Sequence, residues 1–325
     1  MKKYLKSLEA ELKKLKMSEA EIAEILEDHA EMLSEAKEEG ISDDEIILKF
    51  GDPEKLAKEL YEDVLSDKTT RKVESAFKSE KLIDYELINS FPTLESLQAV
   101  NISLISEDLV YFPYEGETIE VYVKGNYREE DYTISYIDGT FSLIKSKVRG
   151  IGIFTSRRTP DFGVRVPAIQ LESFKLNLIS GDAELEEINS ATMNLKTVSG
   201  DIEAKNLVSS SSIVISVVSG DIELQGITAK GLEVTMVSGD LEMKQANFDD
   251  SIYVNTVSGD VEARDLKTSE IELKSVSGDF EGKEVYCKTV TLKSVSGDFE
   301  INNSLHDEKI EVVSKRSVSG KVTIN

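Results

Sequence analysis

The 325-residue chain has one cysteine, no tryptophan and two histidines. Because Cys287 is the only cysteine, an intrachain disulfide is excluded, which fits a reducing compartment or a bacterial surface that does without disulfides. No run approaches the ~20 apolar residues that a membrane-spanning helix needs. Residues 1–16 also lack the apolar segment of a signal peptide. We therefore expect a cytoplasmic protein, with association at the cell surface as the alternative.

Positive charge is scarce as well. The chain carries 62 acidic against 38 basic residues, a formal net charge of −24. Binding to nucleic acid depends on a basic patch or stripe that neutralises phosphates. We therefore expect no nucleic-acid partner.

The usual motifs of catalysis are missing from the sequence. It contains no CxxC, no HExxH, no glycine-rich phosphate loop and no evident pairing of a nucleophile with a base. His29 is expected to pack beside an apolar helix stripe, His306 to lie in a loop, and Cys287 to fill a coil edge rather than act as a nucleophile. In β-helices that cleave sugars, a pair of carboxylates can act as acid and base. Here the carboxylates repeat identically in every coil, whereas an active site would break that symmetry. We predict a protein that is not an enzyme and has no cofactor.

What the chain does have is a short repeat. The tripeptide Ser-Gly-Asp recurs at intervals of 19 or 20 residues, and after a longer interval of 23 it returns as Ser-Gly-Lys. Its glycines are Gly181, Gly200, Gly220, Gly239, Gly259, Gly278, Gly297 and Gly320. Regular repeats of about this length are typical of stacked architectures.

Each repeat also alternates in polarity. In the second one, Asp201 and Glu203 flank Ile202, while Leu195 and Met193 lie four and six residues before the serine. A period of two indicates short strands with carboxylates outward and apolar groups inward, and a glycine at a fixed place suits a corner. The predicted fold is mainly β: a β-solenoid, or single-chain β-helix, of 19–20-residue coils with a small N-terminal α-helical bundle.

The stacked carboxylates are the candidate site of this sequence. Neighbours ~4.8 Å apart repel by about 0.9 kcal/mol in water, and an aspartate that caps backbone N–H groups regains about 1 kcal/mol. A structural ladder therefore needs no metal, although an all-oxygen stripe also suits Ca²⁺. The glycine-rich nonapeptide of calcium-binding β-rolls is absent, so we expect weak calcium binding at most. The weak calcium candidates are Asp201, Glu203, Asp221, Glu223, Asp240, Glu242, Asp260 and Glu262.

The first 66 residues have helical periodicity. Tyr4, Leu8 and Leu12 share one face of a lysine-rich first helix. The signals that open the later helices are Ser18 with Glu21, Ser42 with Glu45, and Asp52 with Pro53. The lysines either pair with an acidic second helix or contact a membrane surface or a partner.

These patterns divide the chain into four segments. We predict a four-helix bundle at 1–66, a linker at 67–93, an irregular β cap at 94–170 and the regular solenoid at 171–325. Within the cap, Asp138-Gly139 is a candidate for a degenerate corner, and residues 154–167 are predicted to form a loop. The last coil has Lys321 in place of aspartate and no cap after it in this sequence. An uncovered edge favours pairing, so we expect a homodimer through this C-terminal coil.

Two stretches resemble known families. The segment from Asp28-His29-Ala30-Glu31 to Phe50-Gly51-Asp52-Pro53 resembles the HAAS helical signalling domain, which is commonly encoded beside PadR-type transcription regulators. That resemblance implies that residues 1–66 bind a protein partner, either a PadR-like regulator or a membrane protein. The Ser-Gly-Asp array resembles a bacterial adhesin-like β-solenoid family of largely unknown function, whose members are associated with adhesion or envelope stress.

Together these observations predict a non-enzymatic interaction or scaffold protein. Its acidic solenoid would present a repetitive surface and its helices would dock a partner, with links to envelope-stress signalling or PadR-type regulation implied by the resemblance. The alternatives are a surface adhesin, or a structural polymer that assembles end to end as bactofilins do.

Overall fold

A computed structural model describes residues 2–14, 26, 29, 52, 53, 55–58, 80–93, 97–146, 159–303 and 310–324. The chain divides into two units, Met1–Ile83 and Asp84–Asn325. Several predictions fall outside the described residues: the signals at Ser18 with Glu21 and Ser42 with Glu45, most of helices two to four, and His306.

In the first unit, helix α1 spans Lys2–Lys14. Tyr4, Leu8 and Leu12 are buried, which confirms the predicted apolar face. Lysines in the last turn suit the negative end of the helix dipole.

A second helical stretch of this unit includes Pro53 and residues 55–58. The Leu56 N–H donates to the Asp52 carbonyl at 2.9 Å, as expected where a helix begins just after Asp52. Ala57 is buried. A 3₁₀ turn at Glu80–Leu82 ends the described part of the unit.

The second unit is built from coils, and each coil contributes one strand to each of two parallel ladders. We call one coil a rung. The first ladder contains β8 Gln170–Asn177, β10 Asn189–Ser199, β12 Val208–Ser219, β14 Thr228–Ser238, β16 Ser251–Ser258, β18 Glu270–Ser277, β20 Thr289–Ser296 and β22 Glu311–Ser319. The second contains β9 Ala183–Glu186, β11 Ile202–Lys205, β13 Ile222–Gln225, β15 Leu241–Phe248, β17 Val261–Lys267, β19 Phe280–Tyr286, β21 Phe299–Asn302 and β23 Val322–Ile324.

The interior of the solenoid consists of the predicted apolar columns. The residue between Asp and Glu of each rung is buried from Ala183 to Phe299, and Phe280 stacks on Phe299 with ring centroids 4.2 Å apart. The columns four and six residues before the serine are buried as well. Eight and ten residues after Ser238, Ala246 and Phe248 are buried as well. These columns confirm the β-solenoid.

The 20-residue rungs hold their extra residue in a bulge. Ser190 pairs with Ser209 but Met193 pairs with Ile213, so the added residue lies between Ser209 and Ile213. A bulge adds a residue on one strand without moving the pairs on either side of it. The alternation of 19 and 20 residues therefore leaves the apolar columns in register.

A second corner of each rung has a left-handed backbone. It lies seven residues after the repeat serine, and its φ values are between 53° and 68° in six rungs. Its residues are Glu187, Asn206, Gly226, Gln245, Asp265 and Glu284. Because only Gly226 among these six residues is a glycine, the residue types at this position gave no sign of a corner.

Four strands of the N-terminal cap form part of the stack of rungs. Its strands are β1 Glu86–Pro92, β2 Ala99–Ser103, β3 Leu109–Tyr114, β4 Thr118–Lys124, β5 Tyr132–Ile137, β6 Thr140–Lys145 and β7 Asp161–Pro167. Strands β2 and β3 form a rung directly beneath β8 and β9, and β6 and β7 form the rung beneath that. Strands β5, β4 and β1 add antiparallel pairings. The spatial order of the first rungs therefore differs from their order in sequence.

Three predictions about this region are wrong. Asp138-Gly139 is the two-residue turn of the β5–β6 hairpin, with φ values of 48° and 71°, and not a corner of the solenoid. An Asp-Gly pair suits such a turn because both positions need positive φ. Strand β7 occupies Asp161–Pro167, within the predicted loop, while residues 147–158 lie outside the described part. Strand β1, at Glu86–Pro92, falls within the predicted linker.

Candidate functional site: a carboxylate ladder and an acidic recess

The aspartates of the repeat form a hydrogen-bonded column. In each rung, Oδ1 accepts the backbone N–H of the aspartate in the next rung; Asp201 accepts from Asp221 and Asp221 from Asp240, both at 2.8 Å. The same bond recurs from Asp182 to Asp298, at 2.7 to 2.9 Å. A charge-assisted bond of this kind offsets the repulsion between stacked carboxylates. The side chains are exposed, but their positions are fixed by the backbone.

The column continues beyond the motif at both ends. Asp108 in the cap accepts the N–H of Asp182 at 2.9 Å, and Asp161 lies in register with Asp108. At the other end, Lys321 donates its backbone N–H to Asp298 at 2.7 Å. A residue at this position needs a carboxylate only to accept the backbone N–H of a following rung. Lys321 thus extends the ladder as a donor, while its own side chain supplies no acceptor carboxylate.

The repeat glycines are required by the close approach of successive rungs. A Cβ built on Gly200 would lie 2.1 Å from the carbonyl oxygen of Gly181, and one built on Gly239 would lie 2.1 Å from that of Gly220. The backbone of Gly239 also has a φ of +109°, which L side chains rarely adopt. Two physical demands therefore act on one column: space in every rung, and positive φ from Gly220 onward.

The glutamates of the repeat form a second column, which is partly neutralised. Glu203 pairs with Lys205, and Lys244 lies 2.7 Å from Glu242 and 3.4 Å from Glu223. The Lys244 bond to Glu242 raises the pKa of that lysine. These are surface pairs, which contribute little stability. The unbalanced negative charge therefore lies mainly on the aspartate column.

Beside the aspartates runs a column of exposed aliphatic residues, just before the repeat serine. We call it the valine column; its members are 46–50% exposed. Its residues are Ile179, Val198, Val218, Val237, Val257, Val276 and Val295. In the rung of Val198, the buried residues Met193, Leu195 and Thr197 alternate with exposed or half-buried ones, so the unbroken alternation places the aliphatic side chain outward.

A cavity opens where the cap meets the first regular rungs. This acidic recess, of about 420 Å³, is lined by Tyr85, Asp108, Leu109, Val110, Asp161, Asp182, Ala183, Glu184, Asp201 and Glu203. Burial, together with the nearby negative charges of Asp161, Asp108 and Glu184, raises the pKa of Tyr85 to about 12. Only Asp201 and Glu203 were among the predicted site residues. The cap residues of the recess were missed because β3 lies between β7 and β9, and this order brings segments that are distant in sequence into one column.

A buried carboxylate directly precedes Asp108 in the cap. Glu107 stands where later rungs have glycine, and its Oε2 accepts the N–H groups of Ile105 and Ser106 at 2.8 and 2.9 Å. Its Oε1 accepts the Tyr132 hydroxyl at 2.8 Å and lies 3.2 Å from Lys145 Nζ. Burial alone would raise the pKa of Glu107, but these donors outweigh it and lower the pKa below its usual range. The carboxylate is therefore charged and fully partnered.

A second buried ion pair joins two antiparallel cap strands. Glu120 on β4 accepts from Arg165 on β7 and from the Tyr122 hydroxyl, and the guanidinium lies 4.4 Å from the centroid of the Tyr114 ring. Burial would raise the pKa of Glu120, but the Arg165 hydrogen bond and Tyr122 lower it. Removing one partner of such a pair leaves an unpaired buried charge. The pair holds the cap strands together.

The predicted calcium candidates are stacked along the rungs rather than gathered around a point. Among the described residues, no group of three or more His, Cys, Asp or Glu side chains is arranged to hold a metal ion. Cys287 is buried, and burial raises the pKa of its thiol to about 12. No helix in the described segments has the length and apolar character needed to cross a membrane.

The fold and its ladder define the class: a single-chain β-solenoid with an aspartate column and a threaded cap. The chain belongs to the Toastrack DUF4097 family, whose model matches residues 98–264 and 246–325. A HAAS family model matches residues 3–59, which confirms the N-terminal resemblance. None of the curated proteins matches the chain.

Several solved structures are similar. One, a proposed lipid-binding protein from Parabacteroides distasonis, has 16% identity and a TM-score of 0.47, covering 72% of this chain and 96% of the other. Another, a proposed adhesin from Bacteroides fragilis, has 12% identity and a TM-score of 0.44, covering 73% and 96%. A third, a proposed adhesin also from Parabacteroides distasonis, has 13% identity and a TM-score of 0.34, covering 74% and 98%.

Proposed function

We propose that this chain is a non-enzymatic interaction protein whose solenoid binds a basic segment of a protein partner. The observation that carries the proposal is the rigid, single-sign charge array: carboxylates in fixed register along the aspartate column, ending in the acidic recess. Charges held in place by the backbone lose little freedom on binding, and a lysine- or arginine-rich segment is complementary to them.

The recess is where this array becomes concave. Asp161, Asp108, Asp182 and Asp201 follow one another along its wall, and Tyr85 adds an aromatic ring. Lys124 Nζ already lies 5.7 Å from that ring centroid and 3.4 Å from Asp84 Oδ2. One cation of the chain therefore lies at the rim in the manner proposed for a partner's side chain.

The test uses the full-length protein and a decalysine peptide, measured by calorimetry at two salt concentrations. The triple variant Asp161→Asn, Glu184→Gln and Glu203→Gln removes three of the six carboxylate charges that line the recess. A matched control neutralises Glu262, Glu281 and Glu300, which are exposed in later rungs of the same solenoid. We expect about tenfold weaker binding for the recess variant and a smaller loss for the control. Equal losses would exclude the recess as the preferred place, and no binding to the wild type would reject a basic partner.

The proposal assigns a second partner to the helical unit. Residues 1–66 would dock a PadR-type regulator or a membrane protein, as the HAAS match suggests. The probe is a purified PadR-type regulator, and the comparison is between the full chain and its Lys6→Glu variant, since Lys6 is an exposed position of α1. Weaker binding by the variant supports docking through α1; no binding by either chain rejects this regulator class.

The proposal also includes a cytoplasmic location. Protease added to intact cells should leave the chain uncut, and cleavage would favour the surface adhesin instead. Homodimerisation through the C-terminal coil stays a prediction.

A further inference from the structure

We propose that two copies of this chain associate side by side through the valine column, in parallel and rung for rung. The inference goes beyond the proposed function because the column lies outside the acidic recess. Its starting point is that seven aliphatic side chains, each about half exposed, occupy the same position in consecutive rungs. The register is continuous, since each repeat serine of the first ladder pairs with the next, for example Ser199 with Ser219 and Ser219 with Ser238.

Nothing in the coil itself demands an aliphatic residue there. The outward column two residues earlier shows what a solvent face looks like in this protein, since its composition changes from rung to rung. Its described members are Asn177, Lys196, Ser216, Thr235, Asn255, Lys274, Lys293 and Arg316. By contrast, the next column stays aliphatic throughout. A long exposed apolar stripe in a soluble domain is typical of an interaction surface.

The spacing of the valine column determines which kind of partner can stay in register with it. Rungs repeat about every 4.8 Å, whereas a helix repeats every ~5.4 Å and a strand along the axis every ~6.6 Å. Over six intervals a partner helix would fall out of step by roughly 3–4 Å. A second solenoid of the same kind has the same rise and stays in register over the whole column. A second copy of this chain is therefore the occupant that fits every rung.

The flanking charges select the direction. On one side lies the column with Lys196, Lys274, Lys293 and Arg316, and on the other lies the aspartate column. A two-fold axis along the stack places the cationic side of one copy opposite the aspartates of the other. A two-fold axis across the stack would place aspartates against aspartates. Electrostatic complementarity therefore favours the parallel pair.

The strength of the pair follows from its area and charge. The valine column offers on the order of 400–500 Å² per copy, near the lower limit of specific interfaces, so we expect a concentration-dependent dimer. Because each copy carries a net charge of −24, long-range repulsion opposes association at low salt. Screening within about 10 Å at 0.1 M salt should therefore strengthen the dimer.

The first test is sedimentation equilibrium of the full-length protein, from low-micromolar to several hundred micromolar, with and without added salt. The double variant Val218→Asp and Val237→Asp should weaken the dimer at least about tenfold. The matched control is Val208→Asp, whose parent side chain is 44% exposed but lies outside the valine column. A monomer at every concentration, an unaffected double variant, or an equal effect of the control would overturn the proposal. Unchanged thermal midpoints show that the variants are folded.

The second test determines the direction. In a Cys287→Ala background, Val198→Cys and Val237→Cys are oxidised separately by copper phenanthroline, which removes two electrons and two protons per disulfide formed. In a parallel pair every rung faces itself, so both variants should crosslink. In an antiparallel pair centred on the column only Val237, its middle member, faces itself. Crosslinking of Val237→Cys alone, or of neither variant, would overturn the parallel arrangement.

Discussion

Oδ1 of Asp201 accepts the backbone N–H of Asp221 at 2.8 Å, across two rungs that are twenty residues apart in sequence. The carboxylate thus acts as a structural acceptor, and its negative charge is a by-product that is available for binding. Substitutions that separate the acceptor from the charge can distinguish these roles.

Asp221→Asn should therefore differ from Asp221→Ala. Asparagine keeps an oxygen for the N–H of Asp240 and removes a repulsive charge, so we expect the free energy of unfolding to change by less than about 0.5 kcal/mol. Alanine loses the acceptor and should cost about 1–2 kcal/mol. Urea unfolding followed by circular dichroism measures both. Equal destabilisation by the two variants would mean that the charge itself is needed, for instance by a bound cation.

The two demands on the glycine column, positive φ and close approach, can be measured separately if Gly125, which lies outside the column, serves as the strain-only comparison. Gly125→Ala introduces strain alone, because φ is +105° and the nearest atoms lie 3.5 Å from the added Cβ, so it should cost about 1–2 kcal/mol. Gly200→Ala introduces a backbone clash at 2.1 Å without positive φ and should cost more than about 3 kcal/mol. Thermal unfolding of purified variants gives the ranking. A mild Gly200→Ala variant would contradict the close approach of the rungs.

The left-handed corners predict a stabilising change. Gln245 has a φ of 53°, so Gln245→Gly should raise the free energy of unfolding by about 0.5–1 kcal/mol. The matched control is Gln225→Gly at the end of β13, where glycine only adds freedom to the unfolded chain and should cost about 0.5–1 kcal/mol. Midpoints of urea unfolding compare the two. A loss at both positions would show that the corner is not strained.

The solenoid was predictable from the sequence because its signal is local and repeated. Ile202, Leu195 and Met193 are inward in one rung, and the same offsets hold in the others. An error in the interpretation of one repeat is therefore corrected by the remaining repeats. The cap has no such redundancy. Its rung of β2 and β3 carries Ser106-Glu107-Asp108, in which Glu107 replaces glycine, and no motif search for Ser-Gly-Asp would find it.

The acidic recess was missed for a topological reason. Asp161 and Asp108 are 53 residues apart in sequence, yet lie in register because β7 pairs with β3 out of sequence order. Hydrophobic periodicity identifies strands but not which strand lies next to which. The exposure of Val198 had a signal, since the alternation through Met193, Leu195 and Thr197 places the next residue outward.

The buried cap carboxylates predict how stability depends on pH. Glu107 and Glu120 have folded pKa values below their usual range, so their contribution is present above about pH 4.5 and is lost as pH falls through the folded pKa. Glu107→Gln should reduce the loss of thermal stability between neutral and acidic pH and should itself cost about 2–3 kcal/mol at pH 7. Glu300→Gln, on an exposed strand position, is the control and should change neither. An unchanged pH profile in Glu107→Gln would contradict the buried network.

Cys287 was expected to fill space rather than react. Burial raises the pKa of its thiol to about 12, so at pH 8 roughly a ten-thousandth of it is thiolate, the form that attacks disulfide reagents. The native protein should react with Ellman's reagent at least about a thousandfold more slowly than the urea-unfolded protein, because the thiol is both protonated and enclosed. Absorbance of the released thionitrobenzoate gives both rates, and Cys287→Ala gives the background. Rapid labelling of the native chain would show an accessible thiolate and would reopen the reading of Cys287 as a nucleophile.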